Sequence, residues 1–321
     1  MPDDRDLLDT NSSTRMLGNR IPGTAATDEA VLDMQQHEPV DPNSEPLKKR
    51  PFGFLFWLAI GFLAVVLFSA VLANVLPLQN PTFGNYNALN QTSSGAHLLG
   101  TDDLGRDLLS RLVFGARVSL IVGFLGVVIG LVFGGTAGLI SGYRGGRIDI
   151  ALNAGSFIIL AFPAIVAVIA IVTFWGASLF HITIILGVAT IPLMYRVIRA
   201  SSLSFAQRDF VVAAKTMGAT DTRIVLREIL PNVIPVTVTF SLITVAGLIV
   251  IEGTLAFLGL SVPLPTPSWG NMINEGTANG ALSTNPYIML WPALAMFMLL
   301  WSINLIGDRL RQRFDIREGL L

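Results

Sequence analysis

Six stretches of the chain are apolar over a length near the ~20 residues a helix needs to cross a bilayer. They lie near residues 52–76, 116–141, 150–174, 180–199, 233–255 and 287–306. Charge is almost absent from their centres, where an unpaired charge costs at least ~3 kcal/mol. The pattern predicts an all-α membrane protein: six spans within 51–321, preceded by a polar segment over 1–50. That segment carries Asp3, Asp4, Asp6 and Asp9 among scattered Pro, Gly and Ser, with no apolar core. It is expected to be a disordered cytoplasmic extension and not a cleaved signal peptide.

Composition agrees and removes other classes. Charged residues are 13% of the 321, about half the share in an ordinary soluble domain. Sixteen of them fall in the first fifty residues, leaving 27 for the other 271, too few to clothe a soluble core of that size. There is no cysteine, which excludes disulfides, thiolate metal sites and a cysteine nucleophile. A net charge of −1 gives no support for a nucleic-acid partner.

Lys and Arg set the direction of insertion. With the N-terminus inside, the inner flanks hold Lys48, Lys49, Arg50, Arg144 and Arg147. The next inner loop adds Arg196, Arg199, Arg208, Lys215, Arg223 and Arg227, and the C-terminus Arg309, Arg311, Arg313 and Arg317. These fifteen face only Arg106, Arg111 and Arg117 on the outer side. Both termini are therefore expected in the cytoplasm.

Particular residues stand out against this frame. Gly126, Gly130, Gly134, Gly138 and Gly142 recur every four residues in the second span, a small-residue face that admits a close neighbouring helix. That neighbour is either within the chain or in another subunit. Residues 101–111 read as an interfacial amphipathic helix, with Leu104, Leu108 and Leu112 on one side. Thr101 is its expected N-cap, Asp102 and Asp103 suit the helix dipole, and Asp107 and Arg111 form an i,i+4 pair. This helix either lies on the lipid or forms an outer gate or binding-protein contact, with Arg106 and Asp107 as candidate residues. The loop from Leu258 to Pro286, stiffened by Pro263, Pro265 and Pro267, offers a second outer surface.

Glu252 is the one carboxylate in or near the end of a span, which makes it a pathway-lining candidate. Its place near the outer boundary also lets it reach water or the Gly253 backbone. His97 and His181 lie away from the centres of the spans, without partners at metal spacing, as solvated or packed residues. The stretch 200–232 reads as two short helices joined at Gly218. The first is rich in small residues, and the second starts from Thr220 or Asp221 and runs to Pro231. Such an elbow could dock into a groove on another protein, with Ala213, Ala214 and Ala219 allowing close approach.

The run Asp209 to Asn232, with Ala213-Ala214, Gly218-Ala219 and the closing Ile229-Leu230-Pro231-Asn232, resembles the EAA loop of ABC-type import permeases. Three further stretches tighten the resemblance to the C-type subunit of the dipeptide/oligopeptide/nickel group. They are Gly100-Thr101-Asp102-Asp103-Leu104-Gly105-Arg106-Asp107 with Ser110-Arg111-Leu112, Ser141-Gly142-Tyr143-Arg144-Gly145-Gly146-Arg147-Ile148-Asp149, and Leu255 to Leu260 with Pro265 to Gly270. Asn304 to Leu310 fits as well, so the resemblance covers most of residues 97–315 in family order. It departs at Val212, where the loop's eponymous glutamate would stand, at Glu228 in place of a histidine, and over Asn153 to Ser156.

The resemblance implies a six-span permease of the type I ABC importer fold in a bacterial plasma membrane. Its implied partners are a homologous B-type permease, one or two cytoplasmic ATPases, an extracytoplasmic substrate-binding protein and a peptide substrate, with nickel or haem as the alternative cargo. Asp209, Ala213, Ala214, Gly218, Ala219, Asp221 and Arg223 would form the coupling loop to the ATPase. The chain itself carries no Walker A loop, because none of Lys48, Lys49 and Lys215 follows a glycine. ATP and Mg are thus expected on partner subunits, and no cofactor or metal is expected in this chain. An ion-coupled secondary transporter would need paired midplane acids or broken helices, and Glu252 stands alone. A membrane-embedded enzyme would need clustered polar side chains at one depth.

Overall fold

The computed structural model describes residues 53–277 and 281–318, so the polar segment 1–50 lies outside the described residues. Helix α1 is Phe54–Leu72 and α2 is Leu108–Arg144, the latter with a π-helical segment at Gly130–Gly135. Helices α3 (Gly146–Ala161) and α4 (Ala164–Trp175) meet at a 70° bend. There follow α5 (Leu179–Ala206), α6 (Asp209–Thr216), α7 (Asp221–Phe257), α8 (Trp269–Thr277) and α9 (Tyr287–Glu318). Among the described residues there is no strand, only an isolated bridge between Thr101 and Asp107.

Five of these helices are long and apolar enough to span a bilayer, and the bent α3–α4 pair makes the sixth. The bend falls where expected on backbone grounds. Phe162 is extended and Pro163 has no N–H to continue the α3 ladder. The third span is therefore a broken one and not the continuous helix its apolar run predicts.

Residue pairing establishes that the pair crosses the bundle. Along α2 and α5, Gly126 faces Gly187, Gly130 faces Thr190, Gly134 faces Ile191, Gly138 faces Tyr195 and Gly142 faces Arg199. The numbers rise together, so the two helices are parallel and the chain must return to the opposite end between them. Helix α7 runs against α2, with Glu252 beside Ser119 and Ile249 beside Gly123. Helix α9 runs against α7, with Met296 beside Gly253 and Leu242 beside Gly307. Helix α1 runs against α9, its Phe56 and Ala59 clustering with Ile306. Six alternating crossings result. One end of the bundle carries Asp102 and Glu275, and the other carries Asp149 and the α6 elbow.

The glycine stripe needs the π segment to work. A four-residue step over-rotates a regular α-helix by about 40°, so five glycines would wander around the helix by roughly 160°. The wider i→i+5 turns at Gly130–Gly135 take back part of that drift and keep the stripe on α5. A Cβ on Gly138 would lie 2.8 Å from the Tyr195 carbonyl oxygen, and one on Gly142 would lie 2.7 Å from that of Arg199. The partner of the stripe is thus a helix of the same chain.

Two helices also overrun their apolar cores. Helix α7 begins at Asp221 and continues through Pro231, where the sequence predicts a stop. A second π segment, Val225–Ile229, precedes that proline and widens the turn its ring would otherwise clash with. Helix α9 continues past residue 306 as a polar extension.

Candidate functional site

At the Asp149 end, α6 is amphipathic and seated by Val211 and Ala214, both buried. It ends at Met217 in a Schellman motif. The Ala219 N–H donates to the Ala214 carbonyl at 3.0 Å and the Gly218 N–H to that of Lys215 at 3.0 Å. Gly218 takes φ +80°, which a side chain would strain. Thr220 is extended and Asp221 starts α7, so the chain turns sharply between the two helices.

Tyr143, on the last turn of α2, fixes this elbow from beneath. Its hydroxyl donates to Asp221 Oδ1 at 2.8 Å, and the Lys215 ammonium lies 4.9 Å from its ring centroid. Behind it, Asp149 of α3 accepts from Arg199 Nη2 at 2.6 Å and from Tyr195 Oη at 3.3 Å, and Ser141 also donates to it. One carboxylate thus ties α2, α3 and α5 together where they meet the elbow.

The elbow residues separate into two sets. Ala214 is buried and Ala219 half-buried against this chain's own core, so these two do not face outward as the spacing suggests. Ala213 and Gly218 are exposed, with Asp209, Asp221 and Arg223 beside them. Around them lie bare apolar side chains: Met217 is 81% exposed, Leu226 54% and Val212 52%. A rigid protrusion with an apolar crown is a docking element by its chemistry. Tyr143, Tyr195 and Asp149 escape sequence reasoning because they lie far along the chain from the residues they hold. For Tyr143 and Asp149, their presence in the Ser141 to Asp149 motif is the signal that could have found them.

The Asp102 end is built differently from expectation. Residues 101–107 are not helical. Gly105, at φ +71°, breaks the run, and a Cβ there would strike the Asn85 carbonyl. Asp102 Oδ1 accepts from the N–H groups of Leu104 and Arg106 at 3.0 and 2.9 Å, closing a tight turn. Helix α2 then starts at Leu108 with Asp107, not Thr101, as N-cap; Asp107 accepts from the Ser110 N–H at 2.8 Å. Its other oxygen lies 3.0 Å from His97 Nδ1, so His97 is packed, and the expected Asp107–Arg111 pair does not form.

Arg111 is instead wholly buried, bonded to Asp102 Oδ2 at 2.9 Å and to Glu275 Oε2 of α8 at 2.5 Å. Arg106 joins both carboxylates, at 2.6 and 3.2 Å. The Leu258–Pro286 loop is packed in part: Ser261, Val262, Ser268 and Trp269 are buried and the Trp269 indole donates to the Leu112 carbonyl at 2.8 Å, while Pro263 to Thr266 are exposed. Arg106 is therefore held inside an ion network, and Asp107 is a buried helix cap beside His97.

Glu252 is fully buried near the end of α7. It reaches neither water nor the Gly253 backbone. Ser119 of α2 donates to Oε2 at 3.0 Å and Ser261 to Oε1 at 2.9 Å. No group of three or more His, Cys, Asp or Glu able to hold a metal ion occurs among the described residues.

A six-span bundle with a rigid elbow at one end and a closed, charge-stitched cap at the other has the architecture of an importer permease. Residues 134–318 match the family described as binding-protein-dependent transport system inner membrane component, and the chain belongs to that family. It is 37% identical over 255 residues to the glutathione transport system permease protein GsiD of Shigella flexneri serotype 5b, covering 79% of this chain and 84% of that one. To the GsiD of Pectobacterium atrosepticum it is 34% identical over 241 residues, covering 75% and 79%. The fold is that of the inward-facing MetNI methionine ABC transporter, with a TM-score of 0.54, 22% identity and coverage of 64% of this chain and 97% of that one.

These findings make the chain a multi-pass inner-membrane permease subunit of an ABC importer, in the dipeptide/oligopeptide-type group with the type I fold. It is a transport component and not an enzyme. Membership implies ATPase subunits, a second permease and a binding protein as partners.

Proposed function

We propose that this chain is the C-type half of a heterodimeric pore that imports short peptides, and that its α6 elbow seats in a groove of a cytoplasmic ATPase. The observation that carries the reading is the exposed crown of Phe210, Val212, Ala213, Met217 and Leu226 on a rigid, internally capped elbow. Closure of the ATPase pair would push the elbow. Tyr143 and the Asp149–Arg199 pair would pass that displacement to α2, α3 and α5 as a rigid-body rotation. A peptide cargo is favoured over nickel or haem by the relatives named for glutathione, itself a short peptide. The excess of basic residues at the elbow end supports a cytoplasmic location for both termini.

The test is uptake by the complete transporter in proteoliposomes, with ATP on the ATPase side. Ala213→Arg, an exposed position, and Gly218→Pro, at the positive-φ corner, are each expected to cut peptide uptake at least ~10-fold, within the usual range of coupling energies. Thermal stability of the permease should change little for Ala213→Arg. Undiminished uptake and ATPase stimulation in both variants would sink the docking role, and uptake without ATP would sink the whole reading.

A further inference from the structure

We propose that a membrane phospholipid occupies the cleft between α1, α2 and α9, one acyl chain inside the cleft and the phosphate on Arg117. Helix α1 is loosely held. Of its nineteen residues only Phe56, Ala59, Val66 and Ala70 are buried. At the Asp149 end Phe56 and Ala59 pack with Ile306. At the other end Arg117 of α2 grips the end of α1, donating to the Ala70 and Val71 carbonyls and to Asn74 Oδ1.

Between these two fastenings α1 stands off and leaves a cleft of about 370 Å³. Phe62, Val66 and Ser69 of α1 form one wall, Ala116 of α2 and Trp291 of α9 the others, and Trp269 closes the inner side. The one hydroxyl here, Ser69 Oγ, already donates to the Val66 carbonyl at 3.0 Å, and the rest of the lining is almost wholly apolar.

Its position and shape select the occupant. The helices that form its walls, α1, α2 and α9, are all spans, so the medium at its mouth is acyl chain and not water. The α1 wall runs from Phe62 to Ser69, about 10 Å along the helix, which suits a linear chain better than a compact solute. Arg117 is outside the lining itself but adjoins lining residues of both helices. It holds the carbonyl of Ala70, next to Ser69, and it follows Ala116 directly on α2. A guanidinium has five N–H groups, and three of those on Arg117 are used in the bonds above. The remainder can bind a phosphate oxygen while the guanidinium carbon stays 5.1 Å from the Phe114 ring centroid. A cation beside an apolar slot is complementary to an anionic amphiphile. The lipid would thus complete the packing of α1 that protein side chains leave unfinished.

Trp269 makes the test direct, because it is 2% exposed and lines the cleft. The complete transporter is prepared with Trp269 as the single tryptophan of this chain (Trp57, Trp175, Trp291 and Trp301→Phe), with partner tryptophans likewise replaced. It is placed in nanodiscs of phosphatidylethanolamine and phosphatidylglycerol whose acyl chains are plain or brominated. Bromine quenches indole emission on contact. Trp269 is expected to lose most of its emission in the brominated bilayer, and Ala295→Phe, which fills the cleft, to restore it. Arg117→Gln is expected to raise several-fold the fraction of brominated lipid needed for half-quenching. Equal emission in both bilayers would mean a dry cleft or one covered by a helix of a partner subunit, and either overturns the proposal. Quenching that survives Ala295→Phe overturns it as well, and no effect of Arg117→Gln removes the phosphate contact.

Discussion

Glu252 and Asp102 are both buried carboxylates, and their surroundings give them different work. Glu252 has no ion pair among the described residues; hydroxyls from α2 and from the loop after α7 surround it. Leaving a buried hydroxyl without its acceptor costs about 1–3 kcal/mol, so Glu252→Leu is expected to lower the thermal midpoint sharply. Ser119→Ala or Ser261→Ala should do so by less, read in detergent by a thermal-shift assay. Asp102 instead neutralises two guanidiniums. Asp102→Ala leaves Arg106 and Arg111 sharing Glu275, and breaking a buried pair in this way costs about 3–5 kcal/mol. The expected outcome is little folded protein, whereas Glu275→Gln, at a half-buried position, should be milder. These partnerships were only half legible in the sequence. A reading by helical spacing pairs Asp107 with Arg111 four residues on, but the true partner, Glu275, is 164 residues away, and Ser119 is 133 from Glu252. Local periodicity carries no information at that range. It also read a separate interfacial helix over 101–111 where only the start of α2 is found, because Asp107 and Thr101 are equally good caps on composition and Gly105 decides between them.

At the scale of elements the spans were readable because an apolar run of that length has few alternatives in a bilayer. The number of crossings and most of their positions follow from hydropathy alone. What hydropathy does not reveal is how a helix turns within its run. The glycine stripe marked α2 as a close-packing helix, but a four-residue repeat does not name its partner or call for a π segment. The contacts with α5 settle the partner, and they lead to a sharp contrast among glycines. A Cβ on Gly134 would collide with the Ile191 carbonyl, while one on Gly155 or Gly247 meets nothing within 4 Å. Gly134→Ala and Gly142→Ala are therefore expected to separate α2 from α5 and reduce the yield of folded permease. Gly247→Ala should be neutral or raise stability by about 0.5–1 kcal/mol, the ordinary helix gain of Ala over Gly. Comparing melting midpoints of the three variants checks this directly. The Pro163 break belongs here too: the apolar run over 150–174 is continuous in composition and discontinuous in backbone.

For the whole molecule the decisive quantity is the parity of crossings. Because α2 and α5 are parallel, the α3–α4 pair must traverse the bundle despite its 70° bend. A re-entrant α3–α4 would have left α5 running the other way and put the elbow at the Asp102 end. With six crossings the Phe54 end of α1 and the polar extension of α9 lie at one face, together with the elbow. The sequence placed its fifteen basic residues on that same side, and basic flanks stay in the cytoplasm. The absence of cysteine turns this into a clean measurement, since any introduced thiol is the only one in the chain. Tyr86, 83% exposed, lies between α1 and α2 at the Asp102 end, and Met217, 81% exposed, is the tip of the elbow. In spheroplasts a membrane-impermeant maleimide is expected to modify Tyr86→Cys at once and Met217→Cys only after the membrane is opened. Once open, Met217→Cys should label more slowly in the complete transporter than in the permease pair without ATPases, because the crown would be covered. Labelling of Met217→Cys from outside would invert the topology and remove the elbow from any cytoplasmic partner. Equal rates with and without ATPases would leave the topology standing and place the docking contact elsewhere on the same face.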